Sequence, residues 1–124
     1  WADDMAAFQA RTKDDWRWTM MIGQPDAIDR AMVDRAIAAQ RRKGGSAALD
    51  LLRLETYHEG RSVQTLHVGP YDDEGPVLAE MHDMFLPANG LVMTGRHHEI
   101  YLSDARRTAP EKLKTILRQP VRTA

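Results

Sequence analysis

The sequence predicts an α+β fold in which a helix packs on an antiparallel sheet. Stretches that alternate apolar and polar residues, as strands do, flank a stretch with apolar residues at helical spacing. Glycine-containing turns separate these stretches. From residue 62 onward the predicted order is strand, helix, strand, strand. A length of 124 residues fits one domain with a sizeable core.

The first predicted strand covers residues 16–22, where apolar side chains alternate with others: Trp16, Trp18, Met20 and Ile22. Two tryptophans on one face form a flat apolar wall. Such a wall either packs beneath a helix or holds a planar ligand, and both interpretations stay open. Residues 20–25 are similar in pattern to residues 115–120. We therefore expect the first strand to close an earlier module, with the natural chain starting upstream of Trp1.

A helix and two strands are predicted next. Asp26 is the expected N-cap of a helix that runs to about Arg42, where two glycines follow. Strands are predicted over residues 51–58 and 62–68. The turn at Glu59–Gly60 between them suggests that they form an antiparallel pair.

A second helix is predicted after residue 73. Pro76 suits its first turn, where a missing N–H group does no harm. Asn89 and Gly90 are expected to end it. Its predicted apolar stripe consists of Val77, Leu78, Met81 and Phe85.

The C-terminal third is predicted to be mostly strand. Residues 91–94 and 97–103 have strand character and form either one bent strand or two. A short helical turn is predicted at Pro110, and a final strand over residues 115–121.

A carboxylate in the middle of an apolar strand is the main candidate for chemistry. In an extended chain, His97, Glu99 and Tyr101 line one face. The opposite face, which we expect to pack against a helix, carries His98, Ile100 and Leu102. A lone buried carboxylate costs several kcal/mol or shifts its pKa. Glu99 therefore faces either a cleft, where it positions or deprotonates water or pairs with a cationic ligand, or a surface ion pair.

Composition excludes several classes of function. The net charge of −1 gives no global attraction to nucleic acid or anionic membrane. There is no cysteine, no apolar run of membrane-spanning length and no signal-peptide pattern, so a cytoplasmic location is expected. No cofactor motif appears.

Metal and nucleic-acid sites are not expected either. His97 and His98 point to opposite faces of a strand and cannot share one ion, and no zinc-ligand spacing is present. Residues 96–124 hold seven lysines and arginines against three acids, but without a recognition helix or interleaved aromatic residues. A solvated charged face is the better interpretation.

Several motifs resemble the GyrI-like small-molecule-binding family over essentially the whole chain. Three of them occur in order, at residues 67–74, 95–104 and 106–118. The segments 1–5 and 14–22 look like the stand-alone bacterial branch of this family.

The resemblance implies a fold of two tandem strand–helix–strand–strand modules. Residues 1–25 would end the first module, residues 26–50 would form a connecting helix, and residues 51–124 would form the second module. Such proteins bind bulky, often aromatic or cationic compounds between the modules. The branch looks like a group that hydrolyses cyclopropane-bearing, DNA-alkylating natural products with an aromatic cage. The alternative is a drug-binding or drug-sensing protein without catalysis, and a third possibility is a protein that acts on a partner enzyme.

The same resemblance places Glu99 at the groove floor as the group that orients or deprotonates water, with Tyr101 hydrogen-bonded to it or to the water. His67 is expected either to cap a strand end or to tune Glu99. No cofactor or metal is expected, the partner is a hydrophobic or aromatic small molecule, and the oligomeric state stays open. The expected ligand-binding residues are Trp1, Trp16, Trp18, Met20, His67, Tyr71 and His97.

Overall fold

The computed structural model describes residues 17–124, which fall into two compact units. The smaller unit contains residues 19–58. The larger contains residues 59–124 and, of the described residues before position 19, Arg17 and Trp18.

The smaller unit is built on helix α1, Arg30–Arg42. Its N-cap is Asp29, whose carboxylate accepts a 2.7 Å hydrogen bond from the Met32 N–H group. The predicted cap, Asp26, was wrong by three residues. The chain from Pro25 closes a turn with a 2.9 Å backbone hydrogen bond, so the helix can begin only after that turn. A 3₁₀ helix, Ala47–Leu51, follows.

Two predicted strands are absent from the described part of the chain. Neither residues 17–22 nor residues 52–58 form regular secondary structure. Alternating side chains favour an extended chain, but a strand also needs a neighbouring strand for its backbone hydrogen bonds. The predicted pairing of residues 51–58 with 62–68 is therefore wrong.

The larger unit holds a four-stranded antiparallel sheet, with strands β1 (Ser62–Val68), β2 (Leu91–Met93), β3 (His98–Tyr101) and β4 (Lys114–Thr123). All three shorter strands pair with β4, which is central. Strand β1 occupies one side of β4, and β2 and β3 follow each other along the other side. Gly95, at a φ of 62°, lies in the break between them.

One helical stretch crosses from β1 to β2. It consists of α2 (Glu74–Ala79), a π-helical segment (Glu80–Phe85) and α3 (Leu86–Ala88). A 3₁₀ turn, Tyr71–Asp73, precedes it, and a second one, Pro110–Lys112, precedes β4. The predicted helix, its end at Asn89 and the turn at Pro110 are confirmed.

The π-helical segment changes which side chains the helix buries. The Leu86 N–H group donates to the carbonyl of Met81, five residues back, which adds one residue to that turn. Leu86 is consequently buried, and Phe85, predicted for the buried stripe, is about half exposed. Pro87 has no N–H group and would clash with the preceding turn of a straight α-helix, so the wider turn also accommodates this residue.

The core lies between this helical stretch and one face of the sheet. Leu78 and Met81 pack on Leu117 of β4. A second cluster consists of Leu86, Leu91 and Val121. The fold is therefore α+β, as predicted.

Strand register decides which face of β3 the helix covers. Glu99 pairs with Leu117, and Tyr101 pairs with Thr115, so these side chains share one face of the sheet. Leu117 and Thr115 are fully buried on the helix side. The helix-covered face thus carries His97, Glu99 and Tyr101. The expectation that the helix would cover the His98 side was wrong, because the carboxylate itself lies on the helix side.

Within residues 17–124, no helix combines the length and the apolar character that crossing a bilayer requires.

Candidate functional site

Glu99 is the centre of a hydrogen-bonded group on the helix-covered face. The Tyr101 hydroxyl donates a 2.6 Å hydrogen bond to Oε2 of Glu99. Nε2 of His97 lies 3.7 Å from the other carboxylate oxygen. The Glu99 side chain is 23% exposed, which leaves it partly desolvated but within reach of a ligand. The predicted face of Glu99, Tyr101 and His97 is therefore assembled.

The neighbours of Glu99 favour its ionised form. Burial raises its pKa, but the nearby His97 imidazole, together with the Tyr101 hydrogen bond, outweighs burial and brings the pKa below its ordinary value. Partial burial and the same hydrogen bond raise the pKa of Tyr101. Tyr101 consequently keeps its proton and acts as a donor to the carboxylate.

Glu74, at the start of α2, is a second carboxyl group on this face. It is 5% exposed, and its Oε1 atom has no hydrogen-bond partner within the described residues. The hydroxyl oxygen of Thr115, also buried, is likewise without one in residues 17–124. A buried carboxyl with an unsatisfied oxygen is costly in a fold and calls for an explanation.

The pKa of Glu74 is shifted in the opposite direction from that of Glu99. Burial raises the pKa of Glu74, and the negative charge of Glu99 raises it further. Thr115, His67 and His97 oppose this rise without cancelling it. The surroundings of Glu74 therefore favour protonation, whereas those of Glu99 favour ionisation.

Glu74 was not among the residues predicted for the site, although the sequence carries a signal for it. In a helix that begins at Glu74, positions 74, 78 and 81 lie on one side. Glu74 therefore shares the buried stripe of Leu78 and Met81, and its helical spacing from them could have identified it.

Two further histidines border the group. His67 is buried, and its Nε2 atom donates to the Pro70 carbonyl at 3.0 Å, since a carbonyl oxygen only accepts. This bond closes the end of β1, the first of the two roles considered for His67. His82, which sequence analysis did not select, stacks edge-on with His97 at 6.0 Å between ring centres. Burial, together with the His97 charge, lowers the pKa of His82.

Aromatic residues divide between the site and other positions. The Tyr71 ring lies 5.2 Å from the Tyr101 ring at an angle of 59°, next to Glu99. Trp18 and Met20 are largely exposed in a stretch without regular secondary structure. Trp1 and Trp16 lie outside the described residues, and the roles of all four remain predictions.

A search of residues 17–124 finds no cluster of three or more histidine and acidic side chains arranged to hold a metal ion. The site combines two carboxyl groups, Glu99 and the more deeply buried Glu74, with a phenol donor and two aromatic rings.

The opposite face of the sheet carries a carboxylate in a different setting. Glu59 accepts a 2.7 Å hydrogen bond from Arg118, and its other oxygen lies 3.0 Å from Nδ1 of His98. Arg118 also donates to the Gln64 side chain at 2.9 Å and 2.7 Å. Burial raises the pKa of Glu59, but Arg118 and His98 outweigh it, so the pKa lies below its ordinary value.

Acids and aromatic rings that meet on one face of a sheet supply the polar and apolar groups that small-molecule sites use. Comparison with protein families assigns the chain to the class of small-molecule-binding proteins: a model of the GyrI-like small-molecule-binding domain matches residues 19–122. The chain belongs to the GyrI-like family.

Solved structures agree with this assignment. The chain is similar to a hydrolase from Listeria innocua, with a TM-score of 0.67 and 41% identity over 80% of this chain and 52% of that protein. An uncharacterized conserved protein from the same organism has a TM-score of 0.70 and 43% identity over 80% of this chain and 50% of the other. The chain thus spans about half the length of the structures it matches. No curated protein matches it.

Proposed function

We propose that this protein binds bulky hydrophobic or aromatic compounds and hydrolyses those that carry a DNA-alkylating cyclopropane, by adding water. The supporting observation is the 2.6 Å hydrogen bond from Tyr101 to Glu99, which fixes a partly buried carboxylate beside two aromatic rings. The hydrolases among the similar structures from Listeria innocua support a hydrolytic activity.

In the proposed reaction, Glu99 takes a proton from a water molecule. The water oxygen forms a bond to a ring carbon as a carbon–carbon bond of the strained ring breaks, and the group that receives the electron pair of that bond takes up a proton, so that water is added overall. Tyr101 keeps its proton throughout and holds the carboxylate in position. General-base assistance of this kind contributes about 10²- to 10⁴-fold, which suffices where ring strain already lowers the barrier.

Aromatic surface would supply most of the binding free energy. Tyr71 and Tyr101 lie at the site, and Trp1, Trp16, Trp18 and Met20 are the further candidates. Burying roughly 200 Å² of a planar ligand contributes about 5 kcal/mol, at about 25 cal/mol per Å², before the cost of ordering. We propose a cytoplasmic location, with a small molecule and not a nucleic acid or membrane as the partner.

The decisive experiment follows product formation by mass spectrometry. The protein is incubated with a cyclopropane-bearing alkylator, beside Glu99→Gln and the exposed control Glu111→Gln. Ring-opened product from the wild type and the control, but not from Glu99→Gln, supports hydrolysis. Equal product from all three proteins would show that Glu99 is not the base.

The alternative is a drug-binding protein that performs no chemistry. The lowered pKa of Glu99 favours it, because a more acidic carboxyl is a weaker base and a better partner for a cationic ligand. This function predicts saturable binding of the alkylator without product. It also predicts that Glu99→Gln weakens binding of cationic aromatic compounds more than binding of neutral ones.

A further inference from the structure

We propose that Glu74 is the proton donor that complements Glu99. This inference rests on the proposed hydrolysis and deepens it, because it assigns a role to the second carboxyl group of the site.

The position of Glu74 supports this role. Its side chain lies on the face that carries Glu99, next to Thr115, and its Oε1 atom is buried without a partner in the described residues. Exposure falls from Tyr101 (58%) through the Glu99 side chain (23%) to Glu74 (5%). A ligand that enters beside Tyr101 would therefore reach Glu99 first and Glu74 at greater depth.

The groups that face Glu74 are consistent with a neutral carboxyl. Strand β1 contributes His67, strand β3 contributes Glu99 and Tyr101, and strand β4 contributes Thr115. His97, the residue before β3, also faces Glu74. The Glu99 charge opposes ionisation of Glu74, as happens when two carboxyl groups share a site. Burial, the largest influence, acts in the same direction and raises the pKa of Glu74. Of the two acids, Glu74 is therefore the one whose surroundings favour the protonated form.

The chemistry of cyclopropanes calls for such a donor. An unactivated cyclopropane is not an electrophile, and conjugation to a carbonyl makes it one because the carbonyl accepts the electron pair of the breaking bond. Glu99 removes a proton from water, the water oxygen bonds to the ring carbon, and the ring bond breaks. Its electron pair moves to the carbonyl oxygen, which takes the proton of Glu74. The single product carries a new alcohol and an enol or phenol, and the proton on Glu99 then returns to Glu74.

The kinetic test uses a spirocyclopropyl cyclohexadienone as the probe. We expect Glu74→Gln to lower kcat about 100-fold or more while KM changes by less than about threefold. The decline of kcat on the alkaline side, where Glu74 ionises, should disappear. Glu74→Asp should restore part of kcat. The matched control, exposed Glu80→Gln in the same helical stretch, should behave as the wild type does.

Infrared spectroscopy gives a second measurement that needs no turnover. The wild type at neutral pH should show the C=O band of a neutral carboxylic acid, which Glu74→Gln removes and Glu80→Gln retains. Binding of the dienone should shift this band.

The outcomes separate the two proposals. Turnover by the wild type with unchanged kcat and pH dependence in Glu74→Gln overturns the inference and leaves hydrolysis intact. Binding without turnover by the wild type overturns hydrolysis. In that case a band that shifts on binding supports Glu74 as the donor to the ligand oxygen, and a band that is absent or unshifted overturns it. If the probe does not bind, both proposals fail.

Discussion

The two faces of one small sheet hold acidic side chains in opposite circumstances. On the face away from the helix, Glu59 is held by Arg118 and His98. On the helix side, Glu99 has a phenol and a histidine, and Glu74 has an unsatisfied oxygen. Neither of these two forms an ion pair with an arginine or lysine in the part of the chain that the structure describes.

Strand β4 produces this difference by simple alternation. Its residue 118 is an arginine that points to one face, while Thr115 and Leu117 point to the other, under the helix. A buried carboxylate with a matching cation has its charge compensated within the fold, and loss of either partner is costly. A buried acid without a cation favours its protonated form or binds a ligand. The comparison therefore separates an acid that maintains the fold from acids available for chemistry.

Substituting the acids one at a time should give the largest effects on activity and stability. We expect Glu99→Gln to reduce hydrolysis of a cyclopropane-bearing alkylator about 10²- to 10⁴-fold while stability changes little. Glu59→Gln should lower the free energy of unfolding while kcat stays within about threefold, because its ion pairs lie on the other face. Turnover by mass spectrometry and urea unfolding on the same samples measure both. A loss of activity in both variants would remove the distinction between the faces.

Removing Arg118, the cation on the face away from the helix, should have the next largest effect. Arg118→Met leaves Glu59 buried without its main partner, so we expect the free energy of unfolding to fall by about 3 kcal/mol. The double variant Glu59→Gln with Arg118→Met should recover part of this loss in urea unfolding. A single variant as stable as the wild type would show that the Arg118 pair contributes nothing.

The phenol donor should matter less. Tyr101→Phe removes one hydrogen bond to a partly solvated carboxylate, so we expect about a fivefold fall in kcat/KM, which corresponds to about 1 kcal/mol. The pKa of Glu99 should rise in the variant, because a contact that favours its charged form is lost. Steady-state kinetics and the acidic limb of the pH profile test this together.

The smallest and most specific effect concerns the pH dependence of stability. The pKa of Glu74 is higher in the folded than in the unfolded protein. Protonation of Glu74 therefore contributes stability that is fully present below the unfolded pKa and is lost as the pH rises through the folded pKa. Glu74→Gln should thus be more stable than the wild type at alkaline pH, with the difference vanishing in acid. For Glu59 the folded pKa is lowered, so its contribution is present above the unfolded pKa and is lost as the pH falls. Thermal unfolding against pH distinguishes these opposite signs.

Local sequence patterns predicted the type and order of the helices and strands in the larger unit. The order of elements from residue 62 onward followed from alternation, helical spacing and turn residues, and β1 and β4 were found within a few residues. The absent strand at 52–58 could not be excluded in this way. Whether an extended segment becomes a strand depends on distant residues that supply hydrogen-bond partners.

Only part of the candidate site could be predicted, because local patterns place side chains on a face but do not determine which elements meet. A period of two placed His97, Glu99 and Tyr101 on one face, which the structure confirms. Which face the helix covers depends on the register of β3 against β4, and no single segment encodes that register. Glu74 enters the site through tertiary packing, so its approach to Glu99 could not be derived from either motif alone.

The π-helical segment Glu80–Phe85 has a consequence for chain length. Its extra residue puts Met81 and Leu86, five positions apart, against the same sheet. Deleting one residue between them would restore the ordinary periodicity and still leave both ends of the helical stretch in phase with the core. A deletion within α2 would instead rotate Glu74 by about 100° relative to Leu78. Single-residue gaps are therefore tolerated in the wide turn and not beside the buried acid.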